Sequence, residues 1–105
     1  MVLGSKPWFI KFYTNWCAHC KELEPTWEEL IQAQYEQLNV ASVDCAALKG
    51  LPLCNTFGVH QMPTLLYFPT GGNKYYRYDQ GDRSLESLTK FAIEGGWEAE
   101  PFKTL

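Results

Sequence analysis

The chain of 105 residues lacks the features that mark several common protein classes. No run of lysine or arginine forms a basic stripe, because 9 Lys and Arg stand against 12 Asp and Glu, for a net charge of −3. We therefore expect neither nucleic acid nor an anionic membrane surface as a partner. No apolar stretch approaches the roughly 18 residues that a membrane helix needs. No signal-like segment follows Met1, so we expect no membrane insertion by this segment.

The chain has the composition of one folded domain. Hydrophobic residues make up 46% of it and aromatic residues 15%, which is enough to fill a core at this length. Metal ions or disulfides are therefore optional for folding. We find no internal repeat, linker or low-complexity segment, and we predict a single domain over residues 1–105.

Hydrophobic periodicity predicts the element order β-α-β-α-β-β-α. The strands are predicted at residues 8–13, 39–44, 64–68 and 74–78. The helices are predicted at about residues 18–37, at about residues 47–57, and from an N-cap at Ser84 to the glycines at 95 and 96. Pro25 lies inside the first helix and should kink it without ending it. The first strand is apolar on both faces except at Lys11, as expected of an interior strand.

The most informative motif is Cys17-Ala18-His19-Cys20, between the first strand and the first helix. A cysteine at a helix start lies beside unpaired backbone N–H groups and the positive end of the helix dipole, and both favour thiolate over thiol. Cys17 is therefore the candidate nucleophile. One helical turn brings Cys20 back within bonding reach, so a mixed disulfide on Cys17 can be resolved internally. The motif predicts thiol–disulfide exchange.

The segment around this motif resembles the active-site strand and helix of the protein disulfide isomerase family. The matching stretches keep the family's order and approximate spacing from about residue 8 to residue 94. They are Phe12-Tyr13-Thr14-Asn15-Trp16-Cys17-Ala18-His19-Cys20-Lys21 with Leu23-Glu24-Pro25, Val43-Asp44-Cys45, Phe57-Gly58-Val59, Met62-Pro63-Thr64 with Leu66, and Gly81-Asp82-Arg83-Ser84-Leu85-Glu86. The resemblance implies a thioredoxin-like α/β fold, with a central mixed four-stranded sheet flanked by helices.

The family's first strand and helix have no counterpart in this chain. We therefore expect an excerpt of a longer protein, in which residues 1–6 resemble the tail of the missing helix. The strand at residues 39–44 should then form an open sheet edge. Residues 94–102 leave the family pattern, and Trp97 and Phe102 either pack back onto the domain or face a neighbouring one.

The resemblance also implies roles for residues of the motif. Cys17 matches the family's attacking thiol and Cys20 its resolving thiol. His19 matches a histidine that stabilises the thiolate of the attacking cysteine, which makes the disulfide form a better oxidant. The alternative for His19 is an exposed helix residue with no electronic role. Trp16 matches a residue that flanks and shields the site, although as a bare observation it could belong to the core.

Residues outside the motif also match. Met62 and Pro63 match the cis-proline loop, which faces the cysteines, offers backbone hydrogen bonds to an extended substrate and keeps metal out. The alternative is an ordinary trans proline. Arg83 resembles a mobile-loop arginine that approaches the resolving cysteine and lowers its pKa. Its alternative is a surface arginine before a helix.

Two positions depart from the family. Lys11 stands where the family usually has a buried acid that passes protons to or from the resolving cysteine, and Ser42 stands where it usually has a lysine. If Lys11 lies beneath Cys20, its charged form favours the Cys20 thiolate, and the proton acceptor is then neutral Lys11 or water. The alternative is a lysine that extends outward and has no role.

A second cysteine pair, Cys45 and Cys54, matches the positions of a structural disulfide in some isomerase domains. Closing so short a loop would stabilise the fold by roughly 2–3 kcal/mol and would indicate an oxidising compartment. The alternatives are two buried free thiols or a zinc site shared with the first pair. We expect no metal, because the spacing fits no common zinc module.

The resemblance implies a thiol-disulfide oxidoreductase and isomerase that acts on client proteins in the lumen of the endoplasmic reticulum. It needs no cofactor beyond its cysteines. The expected partners are unfolded or partly folded clients with cysteines, together with glutathione or an upstream oxidase. Two alternatives stay open. One is a cytosolic thioredoxin-type reductase, although that class usually has proline where this chain has His19. The other is a non-catalytic client-binding module.

Overall fold

A computed structural model describes residues 6–79 and 82–105. Its elements follow in chain order, with one 3-10 helix at Gly96–Ala99. They are β1 Trp8–Tyr13, α1 Ala18–Gln32, β2 Asn39–Asp44, α2 Leu51–Thr56, β3 Thr64–Phe68, β4 Lys74–Arg77, α3 Leu85–Ala92 and β5 Phe102–Thr104. None of the helices in these two ranges is long and apolar enough to cross a membrane. Residues 1–5, most of the proposed helix tail, and Gly81 of the matching loop lie outside the described residues.

The sheet is mixed, in the order β2-β1-β3-β4-β5. β1 runs parallel to β2 and antiparallel to β3, and the remaining neighbours are antiparallel. β2 lies at one edge of the sheet, as we expected of residues 39–44. The prediction of four strands is wrong, because β5 adds a fifth. Tyr76 pairs with Phe102 and Lys74 with Thr104, so β5 satisfies backbone groups of β4 that would otherwise form a second open edge.

Two hydrophobic cores lie on opposite faces of the sheet, because successive residues of a strand point to opposite sides. Phe9 of β1 packs with α1 and α3 in the first core, where its ring centroid is 4.9 Å from that of Trp27 and 5.6 Å from that of Phe91. Ile10 belongs to the second core, beneath α2. Trp97 contributes to the first core by stacking on Tyr67, at 5.0 Å between centroids.

Helix α1 contains Pro25, as predicted, and ends at Gln32 rather than near residue 37. Gln34 has a φ of 50°, in the left-handed region, and this reverses the chain direction. The reversal buries Leu38 and lets the Asn39 N–H donate to the Pro7 carbonyl at 2.9 Å. Helix α1 therefore stops early because the chain must turn back to pair β2 with β1.

Helix α2 begins at Leu51 rather than near residue 47. Pro52 occupies the first turn, where a missing backbone N–H costs nothing. Gly50 precedes the helix at a close approach of two backbone segments, since a Cβ added there would lie 2.0 Å from the Asp44 carbonyl oxygen. This contact ties the start of α2 to the end of β2.

Candidate active site

Cys17 lies at the junction of β1 and α1 and caps the helix. Its backbone is extended, with φ −84° and ψ 118°, and its sulfur accepts a hydrogen bond from the Cys20 N–H at 3.1 Å. The sulfur thus takes the position that a serine or aspartate oxygen takes at other helix starts. An N–H donor aimed at the sulfur stabilises a thiolate more than a thiol.

The Cys17 side chain also faces the loop before β3. Its S–H donates to the Met62 carbonyl oxygen, with sulfur and oxygen 3.4 Å apart. The Met62–Pro63 peptide bond is cis, so the alternative of a trans proline is wrong. The buried Thr64 holds this loop through its hydroxyl, which donates to the Gln61 carbonyl at 2.6 Å. The half-buried Cys17 sulfur thus lies against a backbone carbonyl of the loop.

Cys20 lies in the first turn of α1 and is only 4% exposed. The pKa of its thiol is raised from 9.0 to about 11, chiefly by burial and also by a hydrogen bond with Cys17 and by the charge of Cys17. A backbone hydrogen bond with Thr14 and the positive charge of Lys11 act in the opposite direction. Cys20 is therefore protonated at neutral pH, and a thiol acts as a nucleophile only after it loses its proton.

Lys11 is buried on β1, with 6% of its surface exposed. Its Nζ lies 4.9 Å from the centre of the Tyr13 ring, and its backbone pairs with Ser42. Among the described residues no carboxylate oxygen lies within 4.0 Å of this Nζ. The low exposure argues against a lysine that extends outward into solvent.

We call the cavity around this lysine the Lys11 hollow. It measures about 380 Å³, and its lining includes Lys11, Cys20, Ser42, Glu24 and Glu28. Sequence reasoning missed the two glutamates, although their spacing from Cys20 is a signal: residues four apart on a helix share a face. The hollow connects the buried Cys20 thiol with charged groups of α1.

His19 and Arg83 lie together on the outer side of α1. His19 Nδ1 is 3.6 Å from Glu22 Oε2, and both side chains are largely exposed. Arg83 shares a shallow hollow with His19, Glu22 and Leu23, and it is not among the groups that shift the pKa of Cys20. The roles of His19 and Arg83 stay predictions. Trp16 is 75% exposed beside Cys17, so its assignment to the core is wrong.

Cys45 and Cys54 are joined by a disulfide, with their Cα atoms 5.8 Å apart. Cys45 follows β2 and Cys54 lies in α2, and both are buried in the second core. A disulfide leaves neither sulfur as a thiolate ligand for zinc. In the part of the chain that the structure describes, no cluster of three His, Cys, Asp or Glu side chains could hold a metal ion.

Known proteins resemble this chain in sequence over most of its length. The family model described as Thioredoxin matches residues 1–94. A thioredoxin domain-containing protein of Theileria parva is 44% identical over 86 residues, which cover 82% of this chain and 37% of the relative. Human protein disulfide-isomerase A2 is 41% identical over 95 residues, which cover 88% of this chain and 17% of the relative. This chain therefore spans less than half the length of these relatives.

Solved structures give the same result. The crystal structure of the J-Trx1 fragment of ERdj5 superposes with a TM-score of 0.76 at 36% identity, covering 90% of this chain and 45% of that one. Human ERp44, at 24% identity and a TM-score of 0.71, shares the fold. The chain therefore has the same backbone fold as both structures, and it also resembles the ERdj5 fragment in sequence.

Proposed function

Since the chain belongs to the thioredoxin family and resembles protein disulfide isomerases over most of its length, we propose that it is a thiol-disulfide oxidoreductase and isomerase for client proteins of the secretory pathway. The position of the Cys17 sulfur carries the proposal. It caps α1, accepts the Cys20 N–H at 3.1 Å and lies 3.4 Å from the Met62 carbonyl oxygen. One sulfur is thus stabilised and accessible, while its partner is buried one turn away.

The reaction proceeds through two exchange steps. The Cys17 thiolate attacks one sulfur of a client disulfide, so the client S–S bond breaks, a Cys17–client disulfide forms and the released client thiolate takes up a proton. Cys20 then loses its proton and attacks the Cys17 sulfur, which forms the Cys17–Cys20 disulfide and releases the second client thiol. Two electrons pass to the client. The reverse sequence oxidises a client dithiol, and oxidised glutathione or an upstream oxidase then takes two electrons from the enzyme dithiol and restores the Cys17–Cys20 disulfide.

The Met62–Pro63 loop and Trp16 form the client-binding side of this site. A client segment in extended conformation lies along the loop and places its cysteine sulfur next to Cys17. Trp16, exposed beside Cys17, packs against the client and limits access of water. His19 donates an N–H toward the Cys17 thiolate after rotation away from Glu22, and Arg83 approaches Cys20 and lowers its pKa during the second step.

Lys11 assists the second step. Its positive charge lowers the pKa of Cys20 and so offsets part of the effect of burial. The proton that Cys20 releases passes into the Lys11 hollow, where water and the glutamates of α1 accept it. Lys11 thus stabilises the Cys20 thiolate, whereas the acid that the family usually has at this position passes protons, so proton acceptance falls to other groups.

The buried Cys45–Cys54 disulfide supports an oxidising compartment, the lumen of the endoplasmic reticulum, because such bonds rarely persist in the cytosol. Similarity to proteins named protein disulfide-isomerase supports the same location. The disulfide also favours this proposal over a cytosolic reductase.

The deciding experiment is the reduction potential of the Cys17–Cys20 pair, measured by equilibration with glutathione buffers while mass spectrometry follows Cys45 and Cys54 separately. We expect a reduction potential of about −180 mV, the level of protein disulfide isomerase, with Cys45 and Cys54 oxidised throughout. A value near about −270 mV with all four thiols reduced would identify a cytosolic reductant. Client binding without any turnover would identify a non-catalytic module.

A further inference from the structure

A second cavity, which we call the basic hollow, lies beside the Met62–Pro63 loop. It measures about 290 Å³, and His60, Arg77 and Lys103 are among the residues that line it. Its other lining residues are uncharged, so no carboxylate of the lining balances the basic groups. The chain as a whole carries a net charge of −3. Three basic side chains in one hollow of an acidic chain therefore indicate an anionic ligand.

The sheet brings these side chains to one face. Arg77 of β4 lies opposite Leu66 of β3, and Tyr75, two residues before Arg77, lies opposite Lys103 of β5. Residues directly opposite each other and residues two apart on a strand share a face of the sheet. Arg77 and Lys103 thus project on the same side, at the border of the second core. The fifth strand is what supplies Lys103.

Arg77 has hydrogen-bonding capacity that the described residues leave unused. Its Nε is buried and has no partner among them. Its Nη2 donates to the Gln61 Oε1 at 3.4 Å, which is a long contact. A buried donor without a partner is costly and rare in native proteins. The guanidinium fork matches the two oxygens of a carboxylate, so a carboxylate would satisfy both Nε and the long Nη2 contact.

The basic hollow adjoins the proposed client-binding loop. Gln61 and Thr64, which flank Met62 and Pro63, both line the hollow. Met62 is also the residue whose carbonyl faces Cys17. A peptide that lies along this loop therefore passes the basic hollow within a few residues of its reacting cysteine.

We propose that the basic hollow binds the carboxylate of a client's Asp or Glu side chain while the client segment lies along the Met62–Pro63 loop. The protein then exchanges preferentially those disulfides that have an acidic residue near one cysteine. This inference rests on the proposed function for the identity of the peptide. Its own basis is the charge and the unpaired donor of the hollow.

Peptide binding tests the inference without redox chemistry. The probes are fluorescein-labelled peptides with one S-methylated cysteine and with Glu, or Gln in a matched set, at two, three or four residues from it. Binding is measured by anisotropy on the Cys17→Ser/Cys20→Ser chain. At one of these three spacings, we expect the Glu peptide to bind roughly tenfold more tightly than the Gln peptide at low salt. This preference should weaken as ionic strength rises.

Variants of the basic hollow assign the preference to its residues. Arg77→Gln should bring the ratio of the two dissociation constants to about one. Lys103→Gln, on the exposed strand β5, should reduce the ratio without affecting the core. Lys49→Gln, an exposed lysine outside the hollow, is the matched control and should keep the full ratio. Equal binding of every Glu and Gln pair by the parent would overturn the inference, and so would a preference that survives both hollow variants.

The two proposals fail in distinguishable ways. A Glu preference that depends on Arg77, in a chain without disulfide exchange, would reject the oxidoreductase and retain the acidic-peptide site. Full exchange activity with equal binding of Glu and Gln peptides would retain the oxidoreductase and reject the site.

Discussion

The two cysteine pairs of this chain differ in their bonding, in their place in the fold and in the exposure of one member. Cys17 is half-buried at the start of α1, its sulfur accepts the N–H of Cys20, and both thiols of this pair are free. Cys45 and Cys54 are 7% and 3% exposed, lie inside the second core and are bonded to each other. The first pair spans one helical turn, whereas the second joins the end of β2 to a different element.

Position in the fold thus gives the two cysteine pairs different chemical environments. A sulfur at a helix start has donors that stabilise negative charge and an open side from which a client can approach. Sulfurs enclosed by apolar side chains have neither, and their bond instead restricts the unfolded chain.

Removing the nucleophile should abolish exchange. We expect Cys17→Ser to lower the rate of client-disulfide reduction by at least about a hundredfold, because a serine hydroxyl does not attack a disulfide at neutral pH. The rate is measured on a peptide with an internal disulfide and a fluorescence readout. The matched control is Cys45→Ala/Cys54→Ala, which should retain most of the activity. A Cys17→Ser chain that keeps activity comparable to the parent would contradict the assignment.

Removing the second pair should affect stability instead. We expect Cys45→Ala/Cys54→Ala to lose roughly 2–3 kcal/mol of the free energy of unfolding, because the unfolded chain gains the entropy that the bond removes. Urea denaturation without reductant measures the loss. Cys17→Ala/Cys20→Ala serves as the control and should change the free energy less. Equal stability of the parent and the Cys45→Ala/Cys54→Ala chain would show that the disulfide contributes nothing.

The buried thiol of the first pair should make stability depend on pH. The pKa of Cys20 is raised from 9.0 to about 11 in the folded state. Below about pH 9 both states are protonated and the folded state has its full stability. Between about pH 9 and 11 the unfolded chain ionises first, so the reduced protein should lose roughly 1–2 kcal/mol.

Urea denaturation of the reduced protein across this range measures the loss as the difference between the parent and Cys20→Ser. The difference cancels the titration of tyrosines and lysines. Parallel curves for the two proteins would contradict a raised pKa at Cys20.

Changing the charge beneath Cys20 should have the smallest effect. We expect Lys11→Met to slow the attack of Cys20 on the mixed disulfide a few-fold at neutral pH, since the loss of a nearby positive charge raises the pKa of this thiol. Lys11→Glu should move the pH–rate profile further in the same direction. Single-turnover kinetics across pH give both profiles. Lys49→Gln, at an exposed lysine, is the control and should leave the pH–rate profile unchanged. Profiles of Lys11→Met and Lys11→Glu that match the parent's would reject a role for Lys11.

Local pattern predicted most of the elements. The bounds of β1, β2 and β3 match the prediction residue for residue. Short runs with a strand-like pattern, bounded by turn residues, define where a strand begins and ends. Ser84 caps α3 as predicted, with its hydroxyl accepting the Ser87 N–H. The end of α1 was predicted too late, because Gln34 adopts a left-handed conformation to meet the pairing of β2 with β1. Propensity alone contains no information about that pairing.

Only part of the candidate site could be predicted, because local sequence patterns do not show which distant residues meet in the fold. Cys17 and Cys20 follow from a motif within one helical turn, and the Met62–Pro63 loop follows from resemblance. The basic hollow was missed because His60, Arg77 and Lys103 are far apart in the chain. They converge only after β3, β4 and β5 pair. The sequence pattern predicts no strand after α3, so nothing in it places Lys103 beside β4.

The Cys17–Cys20 motif, the strands β1 to β3 and the alternation that builds two cores could all be predicted, since each depends on neighbours within a few residues. Three features became visible only in the folded chain: Lys11 is buried and lines a cavity with Cys20, β5 adds a strand to the sheet, and three distant basic residues line one hollow. These features depend on which strands become neighbours and on which residues they exclude from water. Both are properties of the whole folded chain.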